Sequence, residues 1–188
     1  MQPQKFVLPV RQRPPDAVPQ FDGVQVPAAA QLASGDRGAA ILEHVGELAG
    51  AALCAEALGI VEALTETTND YVKTRRQFGV PIGKFQALQH RIADMLVAVE
   101  QVRAMAYYAA AEASLDEDNL RAKAIAAART AVAEGSRFVS KNAVQLHGGM
   151  GVTEELIVSH YVKRLTMLNT TYGDADHHLE RYAELMTA

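Results

Sequence analysis

The placement of proline constrains this chain more than any other feature. Six of its seven prolines fall at or before Pro27, and from Gly35 onward the only one is Pro81. Proline removes a backbone donor and its ring clashes with the preceding helical turn, so a long stretch without it is open to long helices. Residues 1–35 have a different texture, polar and Pro-rich, with two short β-like runs at 5–10 and 24–27. Beyond them the chain is rich in alanine, and apolar residues recur at helical spacing.

Four helical segments are expected. The first covers about 37–74, with Ile41, Val45, Leu48 and Ala52, then Leu53, Ala57, Ile60 and Leu64, on its stripes. The second covers about 84–114 and carries Phe85, Leu88, Ile92, Met95, Val99, Val102 and Ala106. The third, roughly 119–146, follows an acidic flank (Asp116, Glu117, Asp118) suited to the positive end of a helix dipole, and carries Ile125, Val132, Val139, Ala143 and Leu146. The fourth is split into 155–168 and 174–186. Long helices, short connections and many small residues predict an all-α antiparallel four-helix bundle over 36–188, preceded by a short irregular or β segment over 1–35.

Composition narrows the function. Hydrophobic residues make up 49% and charged residues 21%, ordinary for a globular domain. A net charge of −4 argues against a nucleic-acid partner. No apolar run is expected to reach the roughly 18 residues of a membrane span, and the opening MQPQKFVLPV has no export-signal pattern. The single cysteine, Cys54, excludes an internal disulfide and is expected as a small buried hydrophobe in a reducing, cytoplasmic setting.

Two segments carry chemistry. Val144-Gln-Leu-His-Gly-Gly-Met-Gly151 ends the third helix in almost bare backbone, which can cap a helix or bring peptide N–H groups up to a phosphate or sugar. Gln145 adds an amide that both donates and accepts. Upstream, residues 74–90 read TRRQFGVPIGKFQALQH: a helix ends in Arg75 and Arg76, Phe78-Gly79 breaks it, Pro81 and Gly83 form a loop, and another helix starts near Lys84.

Taken with Thr171-Tyr172-Gly173, these segments resemble, in register and without a gap, the C-terminal half of the acyl-CoA dehydrogenases. The resemblance runs from about Gly35 to the C-terminus, and Phe21-Asp-Gly-Val-Gln-Val-Pro27 resembles the exit from the family's middle β-domain. The family's N-terminal helical domain and most of its β-domain have no counterpart in the sequence. The resemblance implies FAD held across a subunit interface, with the flavin ring on a β-domain and the ADP end clamped by a neighbour's helical bundle. It places Arg75, Gln77, Phe78 and Gln86 on the first flavin-contacting segment and Gln145 and Gly149 on the second. Arg75 would offer a forked cation to the diphosphate. The two segments are expected at opposite ends of long helices, reaching one FAD from different chains.

Catalysis is where the sequence departs from the family. Acyl-CoA dehydrogenation needs a carboxylate to take the α-proton while hydride leaves the β-carbon for the flavin. The family's two positions for that carboxylate fall on Tyr172 and Ala49, and an arginine common beside the second falls on Gly50. Glu47, two residues from Ala49, is expected on the opposite helix face. Asp174 is an outside candidate for a base, expected first as a helix N-cap. His177 and His178, adjacent on a helix, point about 100° apart and do not read as a chelating pair. The implied function is an acyl-CoA dehydrogenase-type flavoprotein component working as the non-catalytic half of a larger assembly. Its partners would be an acyl-CoA substrate, a like or catalytic acyl-CoA dehydrogenase subunit, and an electron-accepting flavoprotein. The alternatives are a non-enzymatic helical oligomerisation module and a truncated acyl-CoA dehydrogenase.

Overall fold

The computed structural model describes residues 22–114 and 117–187. The chain divides into two compact units, Met1–Gly38 and Ala39–Ala188. In the first, the described residues before Asp36 are irregular apart from one 3₁₀ turn, Ala28–Ala30. The β-like run at 24–27 forms no strand, and Val24 and Val26 are exposed. An extended run needs a neighbouring strand for its backbone groups, and Pro27 has no N–H to offer one. The other run, 5–10, lies outside the described residues, as do Leu115 and Asp116 of the acidic flank.

Five α-helices follow: α1 (Asp36–Thr74), α2 (Gln86–Glu112), α3 (Asp118–His147), α4 (Ile157–Leu168) and α5 (Ala175–Thr187). The first three are the long members of an antiparallel bundle, and α4 with α5 is the split fourth. Their shared core holds Cys54, Val61 and Leu64 of α1, Met95, Val99 and Val102 of α2, Val132, Val139 and Ala143 of α3, and Leu165 and Leu168 of α4. Each fully buried aliphatic side chain contributes about 1.5–3 kcal/mol relative to exposure. Small residues set the helix spacing. A Cβ on Gly135 of α3 would overlap Cγ2 of Val102, and one on Gly50 of α1 would lie 3.0 Å from Cγ2 of Ile125.

Two expectations about α1 are corrected. Ile41, Val45 and Leu48 do not belong to the core but are exposed; burial starts at Gly50 and runs through Ala51, Cys54, Ala57, Leu58, Val61, Leu64 and Val72. A helix stripe is buried only where a neighbour covers it, which periodicity cannot reveal. In addition, α1 contains an 18-residue window of mean hydropathy 1.6, long and apolar enough by composition to cross a membrane. Here it is a core helix of the bundle, with three of its glutamates in ion pairs to its neighbours: Glu47 to Arg121 of α3 at 2.6 Å, Glu62 to Arg103 of α2 at 2.7 Å and Glu56 to Arg164 of α4 at 2.6 Å.

Between α1 and α2, where the sequence predicts a loop, the chain forms a small hairpin. Strands β1 (Arg76–Gln77) and β2 (Val80–Pro81) pair antiparallel, Arg76 opposite Pro81 and Gln77 opposite Val80. Phe78 and Gly79 close it with φ of 52° and 82°. Positive φ at both central residues matches the right-handed twist of the strands, at some steric cost for a phenylalanine. Arg76 braces the turn by donating from Nη2 to the Gly79 carbonyl at 2.8 Å.

Candidate functional site

The ends of α1 and α3 meet over a cleft of about 430 Å³. Tyr71, Arg75, Gln77 and Ile82 form one wall, and Gln145, His147, Gly148 and Gly149 form the other. The two segments singled out in the sequence therefore share one cleft of one chain, which corrects the expectation that they lie at opposite ends of helices. The reason is the antiparallel order: α1 and α3 run in the same direction, so both C-termini reach the same end of the bundle.

The cleft is suited to an anion. Arg75 makes no side-chain hydrogen bond or ion pair among the described residues, whereas its neighbour Arg76 is committed to the hairpin. Gly148, with φ 61° and ψ −142°, ends α3 in a conformation open only to glycine, and a Cβ on Gly149 would meet no atom within 4 Å. Bare backbone and an uncommitted guanidinium thus face one space. The floor is firm. Tyr71 stacks on His147, and the buried imidazole donates from Nδ1 to the Ala143 carbonyl at 2.9 Å.

Arg75, Gln77, Gln145 and Gly149 are thus brought together, while Phe78 and Gln86 do not line the cleft. Phe78 stands at the hairpin tip, 90% exposed, its ring edge-on to Phe85 at 6.1 Å, and Gln86 is the exposed first residue of α2. Sequence reasoning missed Tyr71 and His147. The signal for His147 was its place inside the Gln145–Gly149 run; Tyr71, one turn before Arg75, had none beyond its helical spacing.

A second cavity, about 500 Å³, opens between α1, α3 and α5. Gly46, Gly50, Ala122, Ile125 and Ala126 form its apolar walls, with Tyr172, His177 and His178 at one side and Glu43, Glu47, Arg181 and Glu184 around the rest. Along α1 it lies roughly 30 Å from the cleft, at 1.5 Å per residue between Gly50 and Tyr71. Ala49 is not among its walls, but Glu47 is. Glu47 and Ala49 do lie on opposite faces of α1, as expected, but it is the stripe of residues 43, 46, 47 and 50 that faces Tyr172. None of the three glutamates lining this cavity is free, because Glu47 is paired with the buried Arg121, and Glu43 and Glu184 with Arg181.

Asp174 acts as the N-cap of α5, its Oδ1 accepting from the His177 N–H at 2.9 Å. The imidazoles of His177 and His178 sit edge to face with centroids 5.2 Å apart. Among the described residues no group of three or more His, Cys, Asp or Glu side chains is placed to hold a metal ion. His178 accepts at Nε2 from Nε of Arg129 at 3.3 Å. Burial, then the Arg129 charge and His177, push its imidazole down to about 4, so it is neutral at neutral pH. Arg129 itself is buried on α3, and its Nη2 donates to the carbonyls of Leu168 at 3.0 Å, Thr171 at 2.7 Å and Gly173 at 3.3 Å. Cys54 is wholly buried beside it, and desolvation pushes the thiol up to about 11, which keeps it protonated and inert.

The protein is thus an all-α helical bundle with a cleft at one end and a tyrosine-lined cavity toward the other. The sequence profile of the acyl-CoA dehydrogenase C-terminal domain matches residues 37–187, and the chain belongs to that family. It is 34% identical over 147 residues to acyl-CoA dehydrogenase FadE34 of Mycobacterium tuberculosis (strain ATCC 25618 / H37Rv), a match covering 78% of this chain and 20% of the relative. Among solved structures it resembles the ChsE4-ChsE5 complex from Mycobacterium tuberculosis, with 28% identity, a TM-score of 0.75 and coverage of 89% of this chain and 44% of that one. It also resembles PigA with FAD and proline, with 28% identity, a TM-score of 0.80 and coverage of 89% and 43%. The chain thus spans less than half the length of each of these proteins.

Proposed function

We propose that this chain holds the ADP end of FAD in the Arg75–Gln145 cleft, as the non-catalytic half of an acyl-CoA dehydrogenase assembly. The observation that carries the reading is Arg75, a guanidinium without a partner among the described residues, facing Gln145 and the open backbone at Gly149. The fork would take diphosphate oxygens, Gln145 would hydrogen-bond an adjoining polar edge, and the aromatic floor of Tyr71 and His147 would hold both segments in place. FAD, when bound, supplies the acceptor for the hydride that leaves the acyl β-carbon.

The α-proton would go to a base on another subunit. Tyr172 offers a phenol where the family places a carboxylate, and phenols are poor bases at neutral pH. Glu43 and Glu47 are held in ion pairs, and Asp174 is spent on its cap. The partner would be a catalytic acyl-CoA dehydrogenase subunit, with an acyl-CoA thioester between the two and an electron-accepting flavoprotein to reoxidise the flavin. The buried thiol of Cys54 fits a reducing cytoplasm.

The test is to purify the chain alone and together with a full-length acyl-CoA dehydrogenase, and to measure flavin absorbance per chain and acyl-CoA oxidation. Flavin and turnover found only in the assembly are expected. A stable, colourless oligomer indifferent to added FAD would favour a helical oligomerisation module instead.

A further inference from the structure

We propose that Arg129 is a positioning residue that holds the 169–174 turn in the shape presenting Tyr172 to the cavity between α1, α3 and α5. The turn is an awkward piece of backbone. Tyr172 has φ 60° and Gly173 φ 105°, so two successive residues occupy the left-handed half of conformational space. Gly173 is further confined, because a Cβ there would overlap the imidazole of His177. Such a shape persists only when its surroundings determine it, and the surroundings here converge on one side chain.

From α3, the guanidinium of Arg129 reaches the Leu168 carbonyl at 3.0 Å, Thr171 at 2.7 Å and Gly173 at 3.3 Å, and meets Nε2 of His178 at 3.3 Å. It therefore grips the carbonyl on each side of Tyr172 and also the first turn of α5. Among the described residues no carboxylate pairs with it, and burial lowers its affinity for its own proton. A buried cation balanced only by dipoles is a costly way to fill a core, and an apolar side chain would serve packing alone better. Plain capping of α4 does not account for the contacts. Capping would need only Leu168, the last residue of the helix, whereas Thr171 and Gly173 lie beyond it. α3 holds the same turn from two further positions, Asn169 Nδ2 donating to the Ala133 carbonyl at 3.4 Å and Thr130 Oγ1 to Ala175 at 3.5 Å.

The consequence is local. Tyr172 is 65% exposed and lines the cavity, so nothing in its own packing fixes where its ring points. The backbone on either side fixes it, and Arg129 fixes that backbone. The bearing of this on chemistry rests on the proposed function, in which Tyr172 stands where the family places its carboxylate; the geometric claim does not.

The experiment labels the full chain with 3-fluorotyrosine, which has one fluorine signal for each of its six tyrosines. The Tyr172→Phe variant assigns the line of Tyr172. In Arg129→Met that line is expected to move more than half of the way to its denatured position and to narrow, while the other five hold. Arg129→Lys is the second variant: it keeps the charge in the core but replaces the planar fork by one nitrogen, and it is expected to shift the same line part of the way. A Tyr172 line at its wild-type position in either folded variant overturns the proposal. So do six lines moving together in both variants, which would make Arg129 a general support of the bundle. Flavin content of the assembly, measured in parallel, is expected to be unchanged in Arg129→Lys because the cleft lies at the other end of α1. An assembly that holds no flavin even with the wild-type chain refutes the cofactor reading and leaves the fluorine comparison standing.

Discussion

The ring of Tyr71 stacks on the imidazole of His147 with centroids 4.3 Å apart and planes 27° from parallel. This contact joins the last turn of α1 to the last residue of α3, and so fixes the distance between Arg75 and Gln145 across the cleft. A double-mutant cycle of Tyr71→Leu and His147→Leu, followed by urea unfolding, should give a coupling of about 0.5–1.5 kcal/mol. A coupling near zero would mean that the two helix ends are placed independently of each other.

Arg75→Ala should weaken flavin retention by the assembly and leave the fold untouched. The guanidinium has no partner among the described residues to lose, and a charge-assisted hydrogen bond to a diphosphate contributes about 1.5–3 kcal/mol, or roughly 10- to 150-fold in affinity. Arg76→Ala is the control. It removes the brace on the hairpin turn and should affect flavin binding far less. Equal losses in the two variants, measured by flavin titration, would count against the assignment of Arg75.

Tyr172→Phe should leave the turnover of an assembly with a catalytic partner nearly intact, because the α-proton is taken elsewhere. The isolated chain, supplied with FAD and a panel of acyl-CoA thioesters, should reduce no artificial electron acceptor. Robust turnover by the chain alone, abolished by Asp174→Asn, would show that the cap of α5 is also a base.

Acid should destabilise the bundle through His178. Its folded-state value of about 4 lies below the ordinary 6.5, so the folded protein binds its proton less readily than the unfolded chain does. The stabilisation this gives is complete above pH 6.5 and is lost as pH falls toward 4. Denaturant midpoints measured across that window should fall less steeply in His178→Gln, which can still accept from Arg129 through its amide oxygen. Parallel slopes in the two proteins would remove His178 as the cause.

Much of this architecture was legible in the chain. The proline-free stretch beyond Pro81 and the stripes through Met95, Val99 and Val102, and through Ile125, Val132 and Val139, predict buried helix faces, and those faces are buried. Cys54 reads as a small buried hydrophobe and is one. Asp174 reads as an N-cap and caps α5. These are local matters, set by backbone sterics and by the period of the helix.

Where the reading failed, the missing information was a neighbour. Ile41, Val45 and Leu48 have the right spacing for burial but remain exposed. Counting along α1 puts Glu47 and Ala49 on opposite faces, which holds, but only the packing shows that the stripe of Glu47 is the one that faces Tyr172. Phe78-Gly79 reads as a break, and only the pairing of Gln77 with Val80 makes it a hairpin turn.

By itself the sequence determined the helices, their caps and the chemistry available at Arg75, Gln145 and Gly149, because each depends on residues within a few positions of one another. Tertiary structure alone decided that α1 and α3 end together, so that Arg75 and Gln145 share a cleft, and that Arg129 reaches across to the carbonyls on either side of Tyr172. Those pairings depend on which helix faces meet, a choice made by the packing of the whole core and not by the period of any one helix.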